Sequence, residues 1–510
     1  MSKTYISKCG YVIRKDSLSD ADFNRIKKEL VARPLVDSKY DAGDTQYKIY
    51  IETKNKIYIP KMYGINTFGI PEKVLDNFNG IQWERDIEFV GAPREIQNDC
   101  INTVVNECRK NPFGGGIIHA GTGMGKSFMT LKIISELKYK TIIVVNKIFL
   151  LKQWMSEINV FMPSARVGVI QGATCDIEDK DIVVAMLQSL TIKEYPKGAF
   201  DSFGIFVQDE CHNVASKHFS KILFKLCSKY TLGLSATPTR SDGCENVFKY
   251  HIGDIIYKMN NSTRTALQMK VHSVSLQGDG LYKEISTTRY NGEKQIQFTS
   301  MLTHLLKIPE RNNLIVSIVI QMMKESNNNR NILVLSDRRE HVKTLHALLN
   351  ELPITFSTSI FLGAMKEKDL EKAKEAQVII GTASSVGEGV SIAKLDTLIL
   401  ATPKKFITFR KKDDKKDSGK LEQIVGRIMR KTQYDYNPLI IDLQDNFSVF
   451  KNQNRQRGVF YNKHFPNKIS TFQTIDLNNP DTYALKFSDN TDEIQSDIDS
   501  EFGNDYEIEE

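Results

Sequence analysis

The sequence predicts an α/β protein: two tandem parallel-sheet lobes, a small N-terminal α+β domain and a disordered acidic C-terminal tail. Three observations carry that reading. Short, continuously apolar segments alternate with helical patterns in two separate runs, the mark of parallel strands covered on both faces. A glycine-rich segment, Ala120–Ser127, joins a strand of the first run to a helix. Gln423-Ile-Val-Gly-Arg-Ile-Met-Arg430 follows that segment by about 300 residues, a second domain's distance.

Residues 1–88 combine an acidic-capped helix, Ser19–Val31, with alternating segments such as Tyr47–Thr53 and Lys56–Pro60, and are expected to form the N-terminal accessory domain. The first lobe is expected over 89–258. Gly116–Ala120 is its entry strand and Gly125–Leu137 a helix. Thr141–Asn146 is a buried strand, followed by a helix through Trp154. Asp181–Leu187, Gly204–Asp209 and Tyr230–Ser235 are further strands. Residues 259–304 read as a linker with irregular strands. The second lobe, 305–475, takes Asn331–Ser336, Ala376–Ile380, Thr397–Ala401 and Leu439–Leu443 as strands. Lys404–Lys420 is a highly charged loop, open between a solvated loop and a nucleic-acid contact. Two such sheets predict two lobes with a cleft, the usual seat of a ligand.

A length of 510 residues allows about three domains. Hydrophobic content of 41% and charged content of 26% are those of a globular protein. No apolar run approaches the ~20 residues that span a bilayer, and the N-terminus lacks a signal-peptide core. Cys9, Cys100, Cys108, Cys175, Cys211, Cys227 and Cys244 form no CxxC pair and are odd in number, which points to an intracellular, reducing compartment without structural zinc. The net charge of +7 hides an asymmetry: residues 488–510 hold ten acidic and no basic side chains, leaving 69 basic against 52 acidic over the remainder. The body is therefore distinctly basic, as a phosphate-backbone binder requires. The acidic end, within 476–510, reads as a disordered tail.

Ala120-Gly-Thr-Gly-Met-Gly-Lys-Ser127 lies between strand and helix, the setting a phosphate loop needs. Gly121, Gly123 and Gly125 let backbone N–H groups turn toward phosphate oxygens, with Thr122 and Met124 between them. The helix N-terminus adds its dipole. Lys126 is placed to contact β- and γ-phosphates and Ser127 to ligate Mg²⁺. Asp209-Glu-Cys-His212 follows a buried strand of the same predicted sheet. Asp209 can hold Mg²⁺ through water, and Glu210 can orient and deprotonate an attacking water. His212 stands too late to join that metal; it is either a bridge to the next segment or a packed histidine. Ser235 and Thr237 end the next strand, where their hydroxyls can bond with the Asp209–His212 turn. Upstream, Arg94-Glu-Ile-Gln97 can present Gln97 to an adenine edge; a surface glutamine is the alternative.

Helical spacing puts Gln423, Arg427 and Arg430 at i, i+4 and i+7 on one face, with Ile424, Val425, Ile428 and Met429 on the other. That arrangement suits arginine fingers reaching a nucleotide held elsewhere. In the second run Gly381–Val390 offers Thr382 for backbone phosphate contact and Glu388-Gly389 as a nucleotide sensor. Gln188-Ser189 and Ser336-Asp-Arg338 occupy similar strand-end positions. Phosphate contacts of this kind specify no base sequence.

In this order the segments resemble the motifs of a superfamily 2 DExH-type helicase over roughly 90–445. Arg94–Gln97 is similar to the adenine-reading element and Ala120–Ser127 to motif I. Leu150–Trp154 looks like motif Ia, Asp209–His212 motif II and Ser235–Thr237 motif III; Ser336–Arg339, Gly381–Gly389 and Gln423–Arg430 resemble motifs IV to VI. The first motif opens on Ala120 rather than glycine, the form common in that superfamily. Ala236–Asp242 and Arg311-Asn312 resemble the narrower group of XPB-type helicases and restriction translocases. Arg338–His341 and Glu422–Arg427 most closely resemble the large-DNA-virus helicases that include the poxvirus transcript-release enzyme. The XPB-type Arg-Glu-Asp stands here as Arg240-Ser-Asp242, without its glutamate.

The resemblance implies two RecA-like lobes, ATP and Mg²⁺ as cofactors, and nucleic-acid-stimulated ATP hydrolysis. It implies remodelling of duplex or RNA–DNA hybrid in viral transcription, with DNA or RNA, RNA polymerase and transcription factors as partners. For a virus it implies the host cytoplasm and the virion as compartments. A double-stranded DNA translocase, a recombination helicase and a nucleotide-gated clamp with little turnover remain open alternatives.

Overall fold

The computed structural model describes residues 2–34, 46–121, 123–240, 242–259, 268–288, 294–363, 365, 367–387, 392, 394–403, 408–409, 416–417, 419–429 and 435–487. The chain divides into two compact units. One comprises Met1–Asn261 with Phe409–Asp417, the other Ser262–Thr408 with Ser418–Glu510.

The first unit begins with a five-stranded sheet in the order Ile51–Glu52, Lys56–Ile59, Gly10–Arg14, Thr4–Ser7, Lys73–Val74. Helix Asp20–Glu29 starts at Ser19, whose Oγ accepts the Asp22 N–H at 3.0 Å, a side-chain cap for one of the helix's unpaired donors. Tyr11, Ile13, Ile26, Ile57 and Ile59 bury into one core with Ile142, Val183 and Phe206 of the next sheet. The N-terminal sheet therefore shares its hydrophobic core with the larger one.

That larger sheet has eight strands, ordered Thr174–Cys175, Val167–Gln171, Ile182–Met186, Thr141–Val145, Ile205–Gln208, Tyr230–Ser235, Gly115–His119, Ile255–Lys258. Every pairing is parallel except that of Thr174–Cys175. Alternation explains the unbroken apolar runs. Ile142, Val144, Val183 and Phe206 pack on one face, while Ile143, Val145, Val184 and Val207 pack on the other.

The second unit carries a seven-stranded sheet, parallel throughout, ordered Thr358–Phe361, Val378–Thr382, Ile332–Ser336, Thr397–Leu400, Leu439–Asp445, Lys270–Gln277, Ile469–Asp476. Lys270–Gln277 falls in the stretch read as a linker, yet it lies inside this sheet. Its apolar signal is interrupted by His272, Ser273 and Ser275, although His272 is fully buried and its Nδ1 meets Thr471 Oγ1 at 2.6 Å. The cross-strand bond from His272 to Thr471 offsets part of the cost of burying the imidazole, so the strand tolerates it.

Helix Pro309–Glu325 opens with a buried polar network. Arg311, fully buried, donates from Nε and Nη2 to the two oxygens of Asp445, each at 2.8 Å, and from Nη1 to Ala401 O at 2.9 Å. Asn312 Oδ1 lies 2.9 Å from His341 Nε2, and His341 Nδ1 lies 2.8 Å from Ser336 Oγ. These bonds tie the carboxyl ends of three strands to one helix. Among the described residues no helix is long and apolar enough to cross a membrane.

Candidate active site

Parallel strands deliver their carboxyl ends to one edge of a sheet, and sheet order decides which loops meet there. In the first unit Gly115–His119, Tyr230–Ser235 and Ile205–Gln208 are successive neighbours. The segments that follow them, Ala120–Ser127, Ala236–Arg240 and Asp209–His212, are thereby brought together. Ala120 N donates to Ser235 O at 3.2 Å, fixing the first to the second.

Gly123 and Gly125 hold φ of +80° and +82° before helix Lys126–Leu137 begins. A β-carbon on Gly125 would lie 2.4 Å from Gln97 Nε2, so this position demands glycine on two grounds. Gln97 and Arg94 brace the loop. Gln97 Nε2 and Arg94 Nη2 donate to Met124 O at 3.0 and 3.1 Å, and Gln97 Oε1 accepts the Arg94 N–H at 3.0 Å. Gln97 is 4% exposed, which removes the surface-glutamine alternative. Its amide oxygen is committed to the start of its own helix, Glu95–Lys110, and its nitrogen to the loop.

Lys126 Nζ lies 3.4 Å from Glu210 Oε1. Asp209 is buried; its Oδ1 accepts the Glu210 N–H and its Oδ2 accepts the Trp154 Nε1–H, both at 2.9 Å. Burial, and then the neighbouring Glu210 charge, push the Asp209 carboxyl up to about 6, against the pull of Lys126. Glu210 holds φ +45°, a left-handed conformation that a non-glycine residue adopts only when its surroundings impose it. His212 Nδ1 sits 3.1 Å from Ser235 Oγ and 3.5 Å from Glu210 Oε2, and Ser235 Oγ accepts the Thr237 N–H at 3.0 Å. Arg240 Nη1 donates to His212 O, and its guanidinium pairs with Asp242. Glu210, His212, Ser235 and Thr237 thus form one chain of contacts, braced from outside by Arg240.

Two carboxylates and one ammonium stand together at this edge. Each Asp209 oxygen accepts one bond in the structure, so the carboxylate retains acceptor capacity. A divalent ion would offset the two burdens on Asp209, burial and the Glu210 charge. The half-buried Ser127 at the helix start supplies a hydroxyl oxygen. The donor set, all oxygen, is the one Mg²⁺ takes.

Other sequence-selected residues are placed as follows. Gln188 Nε2 donates to Asn146 O at 2.8 Å, and Ser189 Oγ accepts the Gly172 N–H at 2.9 Å; both lie in helix Leu187–Ile192. In the second unit Arg338 is exposed at the start of helix Arg339–Asn350, with its N–H on Ser336 Oγ at 3.2 Å. Thr382 is buried at its strand end, its Oγ1 2.6 Å from Ser385 Oγ. Thr122, Glu388, Gly389, Arg430 and the acidic tail 488–510 lie outside the described residues, as do much of Lys404–Lys420 and the side chain of Gln423.

The continuous helix expected over 423–430 is not what forms. The α-helix runs Gly419–Val425 and gives way to a 3₁₀ turn, Gly426–Met429. A turn of three residues replaces the 3.6-residue repeat, so the i, i+4, i+7 stripe does not extend through it. Arg427 is only 3% exposed, among the buried Ile424, Val425, Ile428 and Met429.

Comparison with known proteins fits this arrangement. Residues 91–240 match the family model described as the res subunit of type III restriction enzymes. The chain is 30% identical over 469 residues to protein L396 of Acanthamoeba polyphaga mimivirus, covering 90% of this chain and 85% of that protein. It is 25% identical over 374 residues to QP509L of an African swine fever virus isolate, covering 69% of each. Both are named as candidate ATP-dependent RNA helicases. A fragment of a candidate HsdR subunit of a type I restriction enzyme from Vibrio vulnificus shares the fold. Its TM-score is 0.53 at 17% identity, over 76% of this chain and 70% of that one. The extent of the match to L396, together with the RecA-like sheets and the phosphate-loop edge, places the chain in the superfamily 2 helicases, as an ATP-dependent nucleic-acid helicase.

Proposed function

We propose that this helicase remodels RNA-containing duplexes, RNA–DNA hybrids above all, in transcript release during viral transcription. The observation that carries the reading is the likeness to L396, which spans most of both chains and whose name specifies RNA. RNA polymerase or its factors would be the partners that bring it to a transcript.

The chemistry we assign to the described edge follows from its geometry. Gly121, Gly123 and Gly125 bend the backbone so that N–H groups face phosphate oxygens, and Lys126 neutralises their charge. Ser127 and Asp209 would hold Mg²⁺, which when bound would screen phosphate charge. Glu210, beside Lys126, is the base that orients the attacking water. His212, Ser235 and Thr237 relay the state of that turn to the following strand. Arg94 and Gln97 set the height of the loop on which the phosphates rest. Arg427 keeps its assignment as an arginine finger on the strength of the motif.

Strand displacement on DNA, RNA and hybrid duplexes with either overhang tests the reading, alongside ATPase assays with each polymer. The hybrid is expected to be displaced fastest, and RNA to stimulate hydrolysis. A preference for duplex DNA without strand separation would favour a second reading, a double-stranded DNA translocase, which the restriction-enzyme match over 91–240 supports.

A further inference from the structure

Trp154 lies 55 residues before Asp209 in the chain, and its indole Nε1–H donates to Asp209 Oδ2 at 2.9 Å in a buried setting. Helix Ile148–Phe161 presents Leu150, Trp154 and Ile158 at four-residue spacing, and all three are buried; Trp154 is 2% exposed. The indole ring thus packs in the core beneath the sheet's carboxyl edge while its one polar atom reaches the carboxylate. The opposite face of the same helix carries the exposed Ile148 and Lys152.

A carboxylate at a strand end can rotate about its side-chain bonds. Here two donors fix it: the Glu210 N–H on Oδ1 and the Trp154 Nε1–H on Oδ2. The first donor comes from a residue whose left-handed backbone is itself imposed, at φ +45°. The second comes from a rigid ring locked in a helix. Tryptophan is a costly way to fill a core position when its N–H needs a partner, and this partner is the one carboxylate assigned to the metal. Outer hydrogen bonds of this kind set the orientation of a metal-holding oxygen.

We propose that Trp154 is a positioning residue for the helicase reaction: its indole N–H fixes the Asp209 carboxylate in the orientation that receives nucleotide-associated Mg²⁺. The proposal rests on the assignment of Asp209 to that ion. Trp154→Phe keeps the ring and removes the donor. The half-maximal Mg²⁺ concentration for ATP hydrolysis is expected to rise about 10–100-fold. Nucleotide binding in excess chelator is expected to stay at the wild-type level, because the phosphate loop is untouched. A merely structural tryptophan would instead weaken binding with and without metal, and that outcome overturns the proposal. So does a Mg²⁺ dependence equal to wild type.

A second measurement leaves Trp154 itself in place. The chain has two tryptophans, Trp83 and Trp154, so Trp83→Phe leaves Trp154 as the sole indole fluorophore. Its emission is expected to shift when Mg²⁺ is added to the nucleotide-bound protein; an emission indifferent to Mg²⁺ overturns the proposal. If the wild-type protein hydrolyses no ATP with any polymer, the failure lies in the proposed function. If it does and the two tryptophan experiments are silent, the failure lies with Trp154.

Discussion

The two edges of the eight-stranded sheet are built on opposite principles. At the carboxyl edge, opposite charges stand near one another without closing tightly, Lys126 and Glu210 at 3.4 Å, and Glu210 is held in a left-handed conformation. At the amino edge two buried lysines from the N-terminal domain grip main-chain carbonyls. Lys61, fully buried, donates to Ser228 O and Lys229 O at 2.9 and 3.1 Å, just ahead of strand Tyr230–Ser235. Lys8 donates to Phe203 O at 2.5 Å, just ahead of Ile205–Gln208. Burial lowers both ammonium groups to about 8. The contrast teaches that one sheet separates chemistry from cohesion. The edge proposed to be reactive gathers opposite charges and a strained residue, while the far edge spends its lysines on holding the N-terminal domain.

The largest effect should come from the second unit, which extends the contrast beyond this sheet. Arg427→Ala is expected to leave ATP bound and lower turnover about 10³–10⁵-fold, measured by nucleotide binding beside steady-state hydrolysis. Near-normal turnover would end the finger assignment. Next, Lys126→Ala is expected to weaken ATP binding and cut turnover about 10³-fold. Its urea-unfolding midpoint should stay near wild type; a large loss of stability would break the separation of the two edges.

Lys61→Met tests the amino edge through pH. The folded pKa of Lys61 is lowered from 10.5 to about 8, so the unfolded chain binds more protons between those values. Stability from this group is therefore present above pH 10.5 and lost as pH falls through about 8. Relative to Lys61→Met, the wild type should gain up to about 3 kcal/mol between pH 7 and 10.5, with ATP turnover at neutral pH unchanged in the variant. A stability difference independent of pH would show that Lys61 is not buried as a titrating ammonium. The smallest effect concerns strain: Glu210→Gly should raise stability by up to about 1 kcal/mol while hydrolysis is lost. A destabilised glycine variant would mean that the left-handed turn carries no strain to release.

Much of this was legible in the sequence because its signals are local. Thr141–Val145 and Ile205–Gln208 are apolar at every position but the first or last, and the glycine spacing from Ala120 to Ser127 matches the pattern of a phosphate loop. Alternating strands were legible in the N-terminal domain, at Lys56–Ile59, but not in the larger sheets. Val167–Gln171 buries only every second residue, and Lys270–Gln277 buries the polar His272 and Ser275. The helix through Arg427 misled because Gly426 starts a tighter turn that periodicity alone does not announce. Apart from the bond between Ser235 and the turn at His212, contacts across long sequence separations left no mark. Nothing in the spacing joins Trp154 to Asp209, Arg240 to His212, or Lys61 to Ser228.

The lysine clamp has an evolutionary consequence. Its acceptors are peptide carbonyls, which every amino acid supplies, so the clamp itself asks nothing of the side chains at 203, 228 and 229; Phe203 and Ser228 are constrained instead by their burial. The two donors have no such freedom. Homologous sequences should therefore hold a long cationic side chain on the N-terminal side of this seam, while on the sheet side the clamp constrains the path of the backbone and not the kind of residue.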